Sequence, residues 1–228
     1  MAISISIRKI KKFKIPDGTT VVKKANVPLG SIKKTNQTLT INKIVFKVFD
    51  CSFSKDITDD ITVFITELAD YKSLKSYKKK FDFKMYYSKA KNLLFSDSTT
   101  PVTKSFLKSL AATPNVTLDF NTIHFDLKSI AENCLSTRGV RFNSQDPGIN
   151  AKSLTGGEVN INQEANDALE NDDATQVTGI MQVGNRDYTV MITQSGTIMS
   201  FSKLINYEDK EHPMLEFSIN LLHKIKYI

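Results

Sequence analysis

Three short strand-like segments near the C-terminus constrain the fold more than any other feature of the sequence. The segments are residues 177–183, 187–193 and 197–202. Each is rich in β-branched and other strand-favouring residues, and turn-forming triplets that contain Gly184 and Gly196 separate them. Connections this short join antiparallel neighbours. The sequence therefore predicts a C-terminal antiparallel β-meander over residues 176–202.

Helical patterns lie on both sides of the meander. Residues 163–171 form a short acidic amphipathic segment before it, and Pro213 opens an apolar segment after it. Proline is favoured in the first turn of a helix, because the N–H group that it lacks would have no partner there. We therefore predict an acidic helix before the meander and a terminal helix after it.

The N-terminal half mixes strand and helix patterns. Isoleucine alternates with polar residues from Ile3 to Arg8, which predicts a half-buried strand that ends near Ile15. A mostly loop segment is expected up to Thr38, followed by a strand over residues 38–49. Leu68, Tyr71, Leu74 and Tyr77 recur near the spacing of a helical face. This spacing predicts a basic amphipathic helix over residues 67–80.

The middle of the chain indicates the fold class. Residues 92–120 follow the order strand, helix, strand, because Pro101 marks a helix start between two apolar segments. This order predicts a βαβ-like unit near residues 92–120. The prediction for the whole chain is an α+β fold with a mixed sheet.

Charge divides the sequence into two parts. Residues 1–91 carry 20 Lys and Arg against 8 Asp and Glu, whereas residues 92–228 carry 11 against 16. Gly, Asn, Pro and Ser accumulate between Cys134 and Gly156. We therefore expect a basic α/β region over residues 1–135 and an acidic region with the meander and a helix over residues 150–228. The alternative is one continuous domain.

The charge of the first part favours a non-enzymatic nucleic-acid-binding protein. Only four of the 31 basic residues are arginines, and lysine suits phosphate contact better than the recognition of base edges. Aromatic side chains between the lysines offer faces for base stacking. The predicted nucleic-acid-binding residues are Arg8, Lys11, Lys12, Lys72, Lys75, Tyr77, Lys78, Lys79, Lys80, Lys84, Tyr86 and Tyr87. The expected partner is DNA or RNA.

The same charge permits a second function. A basic half can dock on an acidic partner protein or on the acidic half of another copy. The chain would then be a protein-interaction or assembly subunit, for example of a mobile-element or phage-defence system, and it would form a homo-oligomer.

The third candidate is a metal-dependent nuclease. Asp126 and Lys128 form a D-x-K sequence, and Asp119 precedes it. On a strand, residues two positions apart share one face. This short pattern resembles that of the PD-(D/E)xK nucleases, in which carboxylates bind Mg²⁺, although no Pro-Asp pair precedes it. The resemblance implies Asp119, Asp126 and Lys128 as catalytic candidates.

Other site classes have no support in the sequence. Cys51 and Cys134 are isolated and fit neither a disulfide framework nor a CxxC site, which is typical of a reducing compartment. The three histidines lack zinc-site spacing, and the glycines lack a nucleotide-binding motif. We therefore predict no metal and no cofactor. No apolar run reaches the roughly 20 residues of a membrane span, so a cytoplasmic location without a membrane partner is expected.

Overall fold

The computed structural model describes residues 3–24 and 27–228, and within them the chain is dominated by β-structure. The strands are β1 (Ile3–Lys14), β2 (Thr19–Lys24), β3 (Val27–Ile41), β4 (Ile44–Ile65), β5 (Asp70–Ser88), β6 (Leu93–Ser96), β7 (Thr117–Thr122), β8 (Ser136–Asn143), β9 (Ala151–Thr155), β10 (Ala174–Val183), β11 (Arg186–Thr193) and β12 (Thr197–Ser200). The α-helices are α1 (Thr100–Ala111), α2 (Leu127–Glu132), α3 (Gln163–Glu170) and α4 (Pro213–Lys224). Short 3-10 turns cover Thr66–Leu68, Val159–Ile161 and Ile205–Tyr207.

All of these strands belong to one sheet. Eleven of them follow the order β2-β3-β4-β5-β6-β1-β12-β11-β10-β8-β9, and β7 pairs with β1. Every pairing between the described strands is antiparallel, so the expectation of a mixed sheet was wrong. The sheet dominates the fold more than a plain α+β description implies. The division into regions 1–135 and 150–228 stays a prediction.

The C-terminal meander is confirmed. Met181 pairs with Tyr188 across the first turn, and Thr193 pairs with Thr197 across the second. The acidic helix and the terminal helix are confirmed as α3 and α4, and Pro213 lies at the start of α4. The three strands of the meander follow from local patterns, because each short turn makes consecutive strands the nearest pairing partners.

Strand β1 lies at the centre of the sheet. Arg8 of β1 pairs with Leu94 of β6 on one edge and with Thr122 of β7 on the other. Strands β6 and β7 therefore run parallel to each other, with β1 between them and α1 as their connection. The predicted βαβ-like unit exists in this split form, in which its two strands do not pair directly.

Helices cover both faces of the sheet. On one face, the ring of Phe106 in α1 lies 5.3 Å from Phe83 and 5.7 Å from Phe53. On the other face, Phe217 of α4 lies 5.0 Å from Tyr188. Burial of each such side chain stabilises the fold by about 1.5–3 kcal/mol. No helix in the described residues is long and apolar enough to cross a bilayer.

Two predictions for the N-terminal half were wrong. The expected loop before Thr38 contains β2 and most of β3. The expected helix over residues 67–80 is instead the end of the 3-10 turn Thr66–Leu68 followed by strand β5 from Asp70 onward. Strand β5 pairs with β4 along nearly its whole length, from Asp70 opposite Ile65 to Tyr87 opposite Lys47. Backbone hydrogen bonds from a distant segment thus overrode the helical spacing of a few apolar residues.

Candidate functional site

A long hairpin arm projects from the sheet. The arm comprises residues 55–80, the outer parts of β4 and β5 with the 3-10 turn Thr66–Leu68 between them. Strand β4 pairs with β3 only as far as Phe53, and β5 pairs with β6 only from Met85 onward. At about 3.3 Å per residue, the outer eleven residues of one strand span roughly 35 Å. The arm is therefore a two-stranded ribbon longer than most complete strands.

Both edges of the arm are open. Within residues 3–24 and 27–228, residues 57–65 of β4 pair only with β5, and residues 70–84 of β5 pair only with β4. Each edge therefore presents a row of backbone N–H and C=O groups without a strand partner. Such rows are templates for the addition of another strand.

Apolar side chains are exposed on the arm. Tyr71 is 68% exposed, Phe64 is 50% exposed and Leu68 at the turn is 54% exposed. Phe64 and Tyr71 lie opposite each other with ring centroids 5.0 Å apart, so they form one aromatic patch. Val63 and Leu74 are also exposed. A contiguous exposed apolar patch marks an interaction surface.

Acidic residues lie opposite the lysines of the arm. Asp56 of β4 pairs with Lys78 of β5, and the bulge that contains Asp59 and Asp60 faces Lys75. Across the whole arm six lysines stand against five carboxylates, a net charge of +1. Residues 55–65 of β4, with a net charge of −2, therefore offset half of the +4 that residues 70–80 of β5 carry.

Two of the predicted nucleic-acid-binding residues, Arg8 and Tyr86, have buried side chains. Arg8 is 2% exposed, and its guanidinium group donates to the carbonyl oxygens of Ile7 at 2.6 Å and Ser195 at 3.2 Å. Burial lowers the pKa of Arg8 from its ordinary value. Tyr86 is 1% exposed. Arg8 and Tyr86 are therefore buried side chains, whereas their assignment to nucleic-acid binding stays a prediction.

The other predicted residues are dispersed. Lys72, Lys75, Tyr77, Lys78, Lys79 and Lys80 lie on the arm, Lys84 lies 3.4 Å from Asp50, and Lys12 lies opposite Asp119. Lys80 also pairs with Asp82 at 3.0 Å. The structure therefore does not gather these residues on one continuous basic surface.

A separate groove brings two of the predicted residues together. Lys11 and Tyr87 line a groove of about 810 Å³ with Lys47 and Lys89. The ring of Phe13 lies 4.7 Å from that of Tyr87 on its wall. No carboxylate lines this groove, and no ion pair involves its three lysines among the described residues. Lys47 was missed in sequence because it stands alone on β4 rather than in a cluster.

A cleft on the opposite face contains a buried Tyr–His pair. The cleft has a volume of about 730 Å³, and Tyr86, His212 and Asp97 contribute to its lining. The hydroxyl of Tyr86 lies 3.1 Å from Nδ1 of His212. The buried Nε2 of His212 lies 3.4 Å from Oε1 of Glu211 and has no hydrogen-bond partner among the described residues. Burial lowers the pKa of His212 and raises the pKa of Tyr86, so both are neutral at pH 7. No local sequence signal joins residues 126 positions apart.

The predicted catalytic residues do not form the expected shared strand face. Asp126 is the N-cap of α2 and accepts from the backbone N–H of Ser129 at 3.0 Å. Lys128 lies in α2 and pairs with Glu170 at 2.8 Å, whereas Asp119 lies on β7. Residues 123–126 have no regular secondary structure and α2 begins at Leu127, so Asp126 and Lys128 do not lie on a strand. No cluster of metal-ligating side chains is found in the described parts of the chain.

No protein-family model matches the chain, and no curated protein matches it.

Proposed function

We propose that this chain is a protein-interaction or assembly subunit that docks on a partner through the arm. The observation that carries the proposal is the exposed ribbon of residues 55–80, with the patch of Phe64 and Tyr71 and two free strand edges. An isolated two-stranded ribbon is marginally stable in water. A partner that covers the apolar side chains and adds a strand to an edge of the arm would remove apolar surface from water and pair the open backbone groups.

Photo-crosslinking in the cells that produce the protein tests this proposal. Tyr71 is replaced by p-benzoylphenylalanine, and Ile161, which is 76% exposed and far from the arm in sequence, is replaced in the same way as a control. We expect a discrete crosslinked protein from position 71 and none from position 161. The identified partner should bind the purified wild-type chain and lose at least tenfold in affinity for Phe64→Ser/Tyr71→Ser. No adduct at position 71, or equal adducts at both positions, would overturn the proposal.

The groove favours nucleic-acid binding as a second candidate function. Among the described residues no carboxylate lines the groove or forms an ion pair with Lys11, Lys47 or Lys89, and Phe13 and Tyr87 supply aromatic surface beside these lysines. Lysines neutralise phosphates without base recognition, and aromatic faces accept stacked bases at about 1–3 kcal/mol each. Single-stranded nucleic acid suits this combination best, because its bases are free to stack.

Matched charge variants test the second candidate. Lys11→Glu/Lys47→Glu/Lys89→Glu removes the groove charge, and Lys104→Glu/Lys203→Glu/Lys224→Glu makes the same net change at exposed positions elsewhere. Fluorescence anisotropy with a labelled single-stranded oligonucleotide should show at least a tenfold loss for the groove variant. The control should lose less than threefold. Equal losses in both variants would indicate non-specific charge attraction and reject the groove as a site.

A further inference from the structure

The two free edges of the arm carry charges of opposite sign. Residues 55–65 of β4 contain Lys55 with three aspartates, a net charge of −2. Residues 70–80 of β5 contain Asp70 with five lysines, a net charge of +4. One arm thus presents an acidic edge and a basic edge, both with unpaired backbone groups in the described chain.

Opposite edges of this kind complement each other between copies. When two arms lie side by side in the same direction, β5 of one copy runs antiparallel to β4 of the next. The antiparallel ladder of each arm then continues across the boundary, as the N–H and C=O groups of both edges become paired. The basic edge of one copy also meets the acidic edge of its neighbour, and such complementarity favours this pairing.

Pairing of like edges is disfavoured by the same charges. Two β5 edges would bring five lysines against five lysines, and two β4 edges would bring three aspartates against three. Like charges placed opposite each other on adjacent strands destabilise the pair. A two-fold symmetric dimer built on one edge is therefore the weaker arrangement.

We propose that the partner of the arm is a second copy of this chain, added head to tail through the β5 edge of one arm and the β4 edge of the next. The inference rests on the proposed function and specifies its partner. A head-to-tail contact leaves one edge free at each end, so further copies add until a ring closes or a filament grows. The aromatic patches of Phe64 and Tyr71 then follow one another along one face of the joined arms.

An exchange of charge between the two edges tests the pairing. The substitutions Lys72→Glu, Lys75→Glu and Lys78→Glu make the β5 edge −2, and Asp56→Lys, Asp59→Lys and Asp60→Lys make the β4 edge +4. The variant with all six substitutions, the edge-swapped variant, keeps the net arm charge of +1. It also keeps opposite charges across each arm, so its hairpin retains the internal complementarity of the wild type.

Light scattering and energy transfer at low salt give the readouts. We expect the wild type and the edge-swapped variant each to form species larger than dimers, well above the 25.6 kDa chain mass, and to dissociate at high salt. The variant with only Lys72→Glu, Lys75→Glu and Lys78→Glu has two acidic edges and should remain monomeric. Labelled wild-type and edge-swapped chains should not form mixed head-to-tail contacts, because every mixed β5–β4 contact joins edges of like charge. Energy transfer between the two labelled chains should therefore be at least tenfold lower in this mixture than between two differently labelled samples of the wild type.

Three results would overturn the inference. They are a wild type that stays monomeric, a wild type that stops at a dimer, and wild-type and edge-swapped chains that assemble freely together. The crosslinking experiment at position 71 distinguishes failure of this inference from failure of the proposed function. A crosslink to a different protein rejects self-assembly and retains the arm as a docking surface, whereas no crosslink rejects both.

Discussion

The hydroxyl oxygen of Tyr86 lies 3.1 Å from Nδ1 of His212 and joins the centre of the sheet to the start of α4. Tyr86→Phe leaves Nδ1 without this partner in a buried site, and loss of one partner of a buried hydrogen bond costs about 1–3 kcal/mol. We therefore expect the free energy of unfolding in urea to fall by about that amount.

Tyr188 supplies a matched control for this substitution. It is equally buried, but its hydroxyl has no hydrogen-bond partner in the described structure. Tyr188→Phe removes an unsatisfied polar group, so the free energy of unfolding should stay unchanged or rise. A larger loss from Tyr188→Phe than from Tyr86→Phe would contradict the assigned contact.

The burial of His212 predicts lower stability in acid. Burial lowers the pKa of His212 from its ordinary 6.5, against the opposing effects of Glu211 and Asp97. As the pH falls below about 6.5 the unfolded chain takes up a proton before the folded chain does, so the free energy of unfolding decreases. Urea titrations near pH 8 and near pH 5.5 should show this decrease in the wild type. His212→Gln should show a smaller one, and an equal decrease in both proteins would exclude His212 as the cause.

The two turns of the meander should differ in their tolerance of alanine. Gly184 and Gly196 both have positive φ, of 65° and 96°. A Cβ on Gly196 would lie 2.4 Å from Cγ1 of Ile123 and 2.7 Å from the carbonyl oxygen of Ile7, whereas a Cβ on Gly184 meets open space. The conformation alone costs about 1–2 kcal/mol, and overpacking adds about 1–3 kcal/mol. Thermal denaturation should therefore show a greater loss for Gly196→Ala than for Gly184→Ala.

The tip of the arm should contribute little to the stability of the fold. Phe64 and Tyr71 contact mainly each other and solvent, whereas Phe106 is fully buried between sheet and helix. Phe64→Ser/Tyr71→Ser should change the free energy of unfolding by less than about 0.5 kcal/mol. Phe106→Ala should lower it by about 3–5 kcal/mol. A large loss from the tip variant would assign the patch to folding rather than to binding.

The two thiols should be unreactive in the native protein. Cys51 is 5% exposed, and burial raises its pKa well above the ordinary value. Burial also raises the pKa of Cys134 to about 11. The reactive species is the thiolate, so alkylation at neutral pH should be slow until the chain is unfolded. Rapid alkylation of one thiol in the native state would contradict its burial.

Local patterns predicted part of this fold. The alternation from Ile3 to Arg8 predicted β1, and Pro101 between two apolar segments predicted the start of α1. The meander and α4 followed from turns and proline. In each case neighbouring residues decide the outcome, because periodicity and turn chemistry act over a few positions.

The candidate sites needed the tertiary structure. Lysines of β5 were visible in the sequence, but their acidic partners on β4 are set by a strand register that no local pattern specifies. Arg8 looked like a surface cation, but its side chain is buried on a covered face of the sheet, where it donates to the carbonyl oxygens of Ile7 and Ser195. Lys11, Lys47 and Lys89 converge only once three separate segments meet.

The sequence by itself determined a C-terminal meander, its flanking helices and a first part rich in lysine. Only the tertiary structure decided that residues 70–80 form strand rather than helix, and that the arm carries one acidic and one basic edge. The physical reason is that strand pairing takes its hydrogen bonds from residues distant in the chain. Residue spacing alone specifies neither the partner nor the register.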